Sequence, residues 1–161
     1  FAIDFIYGFD LKWLGLYPRT VEGLGGILFA PVLHGNLQHL LSNTIPTLFL
    51  GATLYFYYKK IASHVFLSCY LGTGILVWIF ARPSYHIGAS GLVYALAAFL
   101  IAFGFFRRDF ISPLIVALAQ FVYGSCFYGV LPTAPNISRE SHLFGALIGI
   151  FLANAFKKAS I

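Results

Sequence analysis

Three pairs of basic residues, Lys59/Lys60, Arg107/Arg108 and Lys157/Lys158, punctuate a chain that is otherwise a succession of long apolar runs. The runs at 37–58, 62–81, 90–106, 112–131 and 141–156 each approach the ~20 residues that a helix needs to cross a hydrocarbon core. The pairs stand at alternate ends of successive runs, so all three belong on one face of the membrane. By the positive-inside tendency that face is the cytoplasm. Charged residues make up only 9% of the chain and hydrophobic ones 60%, whereas soluble domains carry about a quarter charged residues. The expectation is therefore an all-α polytopic membrane protein in a lipid bilayer. Its 161 residues leave room for about six spans and no separate soluble domain. The net charge of +5 is a topology signal at helix ends and calls for no nucleic-acid partner.

The chain divides as one membrane domain, 1–161. Residues 1–8 are apolar but too short to cross a bilayer, and they read as the stub of a first helix that is largely missing. Residues 9–36, rich in Gly, Pro and aromatics such as Trp13 and Tyr17, read as an outer loop in the membrane interface, where Trp and Tyr are favoured. Residues 37–158 form the core. Pro46 is tolerable inside its span because neighbouring helices can satisfy the freed carbonyl. Ser112 and Pro113 start a helix as N-cap and first residue, and 132–136 is a loop. Cys69 and Cys126 fall inside apolar runs and read as small buried side chains rather than a disulfide.

The stretch His86-Ile87-Gly88-Ala89-Ser90-Gly91 opens directly into the run at 90–106. A serine between glycines is a hydroxyl that backbone can approach closely. The first N–H groups of a helix have no partner in a preceding turn, and the helix dipole adds positive charge there. Negative charge developing beside Ser90 would meet donors at Ala89 and Ser90, as in an oxyanion hole. Taken alone, the same motif more commonly marks a small-residue packing patch with an N-cap serine. Counted from the basic pairs at about 1.5 Å per residue, Asn43, Ser90 and His142 share a level roughly 22–25 Å above the inner interface.

His142 is followed by Gly145 and Gly149, a spacing that lets two helix backbones come unusually close. The run after Ser90 offers a matching stripe at Gly91, Ala95, Ala98 and Ala102. If the stripes meet, Ser90 and His142 face each other within hydrogen-bond reach, the geometry by which a base takes a serine proton. An ionisable group at this depth is expensive and usually functional, although a structural hydrogen bond would also account for it. No acid is assigned beside His142 as a third member of a triad, and Tyr94 is placed to stack on the imidazole. His39 and Asn43, four apart on one helix face, can both donate to an oxyanion or else clamp two helices. The pair is weak for metal because Asn is a poor ligand for metals that favour His. The spacings of His34, His39, His86 and His142 suit neither zinc nor haem, and no metal or cofactor is expected.

His39-x-x-x-Asn43, Gly88-x-Ser90-Gly91 and His142-x-x-Gly145-x-x-x-Gly149, in that order, resemble the rhomboid family of intramembrane serine proteases from about residue 33 to 158. The resemblance implies a six-transmembrane-helix rhomboid-like bundle with Ser90 as nucleophile and His142 as general base and acid. It implies His39, Asn43, Ala89 and Ser90 as the oxyanion site and Gly88 as the point of backbone access. Tyr94 matches the family's tyrosine that packs on the base, and His34 has a counterpart of structural character. The Trp-Arg pair often carried in the family's first outer loop is not found, since Trp13 and Arg19 stand apart. The implied reaction is hydrolysis of a peptide bond near the outer end of the helix of a single-pass transmembrane substrate. The alternative is an inactive relative that binds membrane proteins. The span at 111–131, with Gly124, Gly129, Phe121, Phe127 and Tyr128, is the expected gate, and 131–138 its lid. The compact, loop-poor form points to a bacterial plasma (inner) membrane, with the site opening outward.

Overall fold

The computed structural model describes residues 11–108, 110, 111, 114, 117 and 138–160. Four long helices carry the fold: α1 (Leu37–Tyr57), α2 (Lys59–Phe80), α3 (Ser90–Arg107) and α4 (Arg139–Phe156). No strand occurs among the described residues, and the architecture is all-helical. By length and apolar composition α2 and α3 are each able to cross a membrane. α1 and α4 have comparable lengths but begin with polar turns, Gln38-His39 and Arg139-Glu140-Ser141-His142. The expected stub at 1–8 lies outside the described residues, as do Cys126 and, apart from Ile111, Leu114, Ala117 and Ser138, the expected gate and lid.

Helix ends follow from local chemistry. Asn36, extended at φ −160°, accepts from the His39 N–H at 2.7 Å and so caps α1, while Pro46 is accommodated inside it. Arg108 ends α3 in the left-handed region at φ 56°, its N–H reaching the Gly104 and Phe105 carbonyls. Ser138 caps α4 by accepting from the Ser141 N–H, so this helix starts two residues before the expected 141.

A second difference concerns Lys59 and Lys60. They were expected to close the first full span, but they form the opening turn of α2, and buried Tyr58 alone joins the two helices. Tyr58 packs edge-on against Phe103 with centroids 5.0 Å apart, which anchors the corner in the core and forces the reversal at that residue. The basic pairs nevertheless gather at one end of the bundle. Lys60 Nζ donates to Ser160 Oγ at 2.7 Å, and Arg107 Nη1 donates to the carbonyls of Lys157 and Ala159 at 3.2 and 2.8 Å.

α3 is the central helix. It touches the other three, and Gly91 to Leu96, Phe99, Leu100, Phe103 and Gly104 are buried. Its largest interface is with α4. A Cβ at Gly145 would land on the Gly91 carbonyl oxygen, and one at Gly149 on that of Ala95. The expected stripe is correct at Gly91 and Ala95 but turns at Phe99, whose backbone faces Gly149. Ala98 and Ala102 are only half-buried. The contact thus follows the i, i+4, i+8 row of α3, one of the inclined ridges along which two crossing helices meet, rather than the straighter stripe of small residues.

Residues 9–36, expected as an interfacial loop, contain a series of short helical turns over 11–32, and their anchoring was not legible from the sequence. Arg19, left-handed at φ 59°, donates from Nη1 to the carbonyls of Ile79 and Ala81 at 3.2 and 2.7 Å, and its backbone N–H donates to Trp78 O at 3.0 Å. Trp78 Nε1 returns a bond to Thr20 O at 2.9 Å. A cation thus satisfies the last carbonyls of α2, where the helix dipole favours it. Arg19→Ala is expected to cost about 1–2 kcal/mol and to expose 11–32 to protease. Thermal unfolding and limited proteolysis in detergent check this, with wild-type behaviour in both counting against the anchor.

Candidate active site

Four segments converge at the end of the bundle opposite the basic pairs: 33–43, 82–90, the first turns of α3, and the first turns of α4. Ser90 is the first residue of α3, preceded by Ala89 at the N-cap position, and no side-chain cap is made there. Its hydroxyl points instead to α4, where His142 Nε2 lies 2.8 Å from Ser90 Oγ. His142 is buried, and its ring is stacked on Tyr94 with centroids 4.3 Å apart and planes 15° from parallel. The packing of α3 on α4 through Gly91, Gly145 and Gly149 brings these two side chains together, because backbones without intervening side chains put helix starts within one hydrogen bond.

The first helical bond of α3 runs from Val93 N–H to Ala89 O. The N–H groups of the first turn, Ser90 among them, therefore have no carbonyl one turn back. Gly88 precedes them at φ +100°, a conformation that L side chains rarely adopt. A Cβ there would sit 2.5 Å from His39 Nε2 and 3.7 Å from Asn43 Nδ2. Gly88 thus lets the backbone beside Ser90 lie directly against the His39 and Asn43 side chains. The loop is fixed from the other side by the Gly88 N–H, which donates to Ala30 O at 2.8 Å. Buried Asn43 donates one amide hydrogen to His39 O at 2.8 Å, which orients the group and leaves its second N–H for another acceptor. His39 meets buried His34 edge-on at 5.1 Å, and His34 Nδ1 lies 3.3 Å from Val32 O.

Among the described residues no three His, Cys, Asp or Glu side chains come together as metal ligands would. Glu140, the acid nearest His142 in the chain, pairs with Arg82 Nε at 3.4 Å.

No sequence pattern assigns His86 a role. Its backbone bridges to Leu16 in both directions, at 2.8 and 3.0 Å. Its ring is buried and bonded to Ser138 and to the Arg82 carbonyl. His86 lies four residues before Ser90 as Ser138 lies four before His142, but no local rule connects two such loops.

A model of the Rhomboid domain matches residues 22–159. The chain belongs to the rhomboid family. An uncharacterised protein of Mycobacterium tuberculosis is 34% identical over 94% of this chain and 67% of its own length. The putative rhomboid protease YdcA of Bacillus subtilis is 28% identical over 78% of this chain and 64% of its own. RHOMBOID-like protein 4 of Arabidopsis thaliana is 28% identical over 90% and 36%. With the apolar α2 and α3, membership makes this rhomboid an integral membrane protein.

The buried loop histidines of this rhomboid give its stability a pH dependence. Burial holds both His34 and His86 below their ordinary value of 6.5. At His34 the neighbouring His39 adds to the effect and the Val32 carbonyl opposes it. At His86 the Arg82 carbonyl and Glu140 oppose it and the Arg82 charge adds to it. Unfolded histidines then bind protons that folded ones refuse, so stability rises with pH across this window. The contribution is complete above about 6.5 and is lost as pH falls through the depressed folded values. The melting temperature is expected to fall between pH 7 and 5, and less steeply in His86→Asn. Equal slopes in the two proteins would remove His86 from the account.

Proposed function

We propose that this rhomboid protein is an intramembrane serine endopeptidase that cleaves single-pass membrane proteins near the outer end of their transmembrane helix. The single observation carrying the reading is the 2.8 Å approach of Ser90 Oγ to a His142 ring held flat against Tyr94. In this arrangement the Ser90 hydroxyl donates to Nε2, so the other ring nitrogen, Nδ1, holds the imidazole proton. As Oγ attacks the substrate carbonyl carbon, His142 takes the hydroxyl proton, and the carbonyl oxygen becomes an oxyanion. His39, the remaining N–H of Asn43 and the backbone N–H groups of Ala89 and Ser90 are its proposed donors. Gly88 keeps the space beside His39 and Asn43 clear, and Gly91 makes room for the start of α4 at Ser141.

His142 then delivers its proton to the leaving amine nitrogen, the C–N bond breaks, and an ester on Ser90 remains. Water, deprotonated by His142, hydrolyses that ester and restores the hydroxyl. A peptide bond inside a helix is hydrogen-bonded and shielded, so substrates whose helices loosen at the outer end are the preferred class. The reading uses a six-span bundle in a bacterial plasma membrane, its basic end in the cytoplasm and its site opening outward. Entry past the span at 111–131 belongs to the same proposal.

The test is reconstitution in liposomes with single-pass substrates whose outer helix ends carry helix-breaking residues. Cleavage by wild type and none by Ser90→Ala is the expected result. Tight binding of such proteins by wild type without cleavage would replace the protease with a membrane-protein-binding factor.

A further inference from the structure

Ser90 and His142 are not the only polar link between their two segments. His86 Nδ1 lies 2.5 Å from Ser138 Oγ, one rung above the Ser90 to His142 bond on the same pair of segments. Each rung spans 52 residues of chain, because its members stand four residues before the corresponding members of the other. We infer that His86 is a positioning residue, which through Ser138 holds the first turn of α4, and with it the His142 imidazole, at bonding distance from Ser90. The inference rests on the proposed hydrolytic role of that pair.

The protons of the upper rung can be assigned from the partners. His86 Nε2 faces the Arg82 carbonyl at 3.1 Å, with Ser84 Oγ at 3.4 Å. A carbonyl only accepts, so Nε2 carries the hydrogen and Nδ1 is the acceptor. The Ser138 hydroxyl donates to Nδ1, and its oxygen accepts from the Ser141 N–H at 3.3 Å and from the Ser141 hydroxyl at 2.6 Å. The N-cap of α4 is therefore the middle link of a donor chain that runs from Ser141, beside His142, through Ser138 to His86. His142 itself is tied to the same residue by its N–H to Ser138 O at 3.4 Å.

The rung supplies what the glycine contact beneath it does not. Gly145 and Gly149 set how closely α3 and α4 approach, and Leu152 and Ala153 pack into the core further along α4, but the first turn of α4 still has its position along and about the helix axis to settle. Directional bonds at the helix start fix both. The Arg82 to Glu140 pair at 3.4 Å, exposed at Arg82 and half-buried at Glu140, ties the same two segments through residues other than Ser138.

The test compares His86→Leu with His86→Asn in the full chain in detergent. Asparagine places an amide oxygen near the position of Nδ1 and keeps an acceptor for Ser138, whereas leucine removes it. Three quantities are read: amide hydrogen exchange along α4, the rate of Ser90 labelling by a fluorophosphonate, and the melting temperature. In His86→Leu, exchange at 141–143 should accelerate about tenfold while 149–153 stays protected, and labelling should slow about tenfold. His86→Asn should recover both to within about threefold of wild type. Wild-type labelling in His86→Leu would overturn the inference. So would acceleration spread evenly along α4 with no recovery in His86→Asn, which would make His86 an ordinary core residue. A wild-type protein that takes no label would sink the hydrolase reading alone, and exchange at 141–143 would then decide the clamp.

Discussion

Fluorophosphonate labelling of the solubilised protein is expected to fall to background in Ser90→Ala and by about 10²- to 10⁴-fold in His142→Ala. The two effects have different origins. Removing Oγ removes the atom that bonds phosphorus, so nothing remains to label. Removing the imidazole leaves a hydroxyl 2.8 Å from an empty place, still flanked by the first-turn N–H groups of α3 but without a base for its proton. Residual labelling in His142→Ala measures what the donors contribute on their own. Both side chains lie where α3 and α4 are already held by backbone contact, so melting temperatures should change little beside the loss of labelling. Equal labelling of Ser90→Ala and wild type would place the reactive group elsewhere and remove the proposed mechanism.

Gly145→Val should inactivate without touching a reacting group. The new Cβ would land on the Gly91 carbonyl oxygen, with the Ala95 nitrogen 3.3 Å away. These are backbone atoms in the buried first turns of α3, and no rotamer change moves them. The helices must part or α4 must rotate, and overpacking of this kind costs about 1–3 kcal/mol. One turn above, the Ser90 to His142 bond would open with them, and misplacement by about 1 Å costs on the order of 10²-fold in rate. The expected outcome is a lowered melting temperature together with loss of labelling. Leu147→Ala is the control: Leu147 is half exposed on the opposite face of α4 and should leave labelling within about twofold. An active Gly145→Val would mean that the close contact of the helices does not set the distance between serine and histidine.

Much of this architecture follows from the order of residues alone. Apolar runs of bilayer length forced helices, because backbone groups in hydrocarbon must bond within their own segment. Gly145 with Gly149 announced a helix pair in close contact. Ser90, His142 and Tyr94 could be placed on facing turns by spacing, since 3.6 residues per turn is the same arithmetic in every helix. Helix boundaries were less legible. Lys59 and Lys60 looked like a stop signal, and only the burial of Tyr58 against Phe103 made them the first turn of α2.

What remained for the tertiary structure to decide was every bond between a loop side chain and a distant partner. Arg19 finds carbonyls 60 and 62 residues further along the chain, and His86 finds Ser138 52 residues on. Periodicity and hydropathy describe how a segment relates to its own neighbours or to the membrane. Which carbonyl or hydroxyl a polar side chain meets depends on where four helix ends come to rest, and that is settled only when glycine contacts, a buried tyrosine corner and capped termini act together.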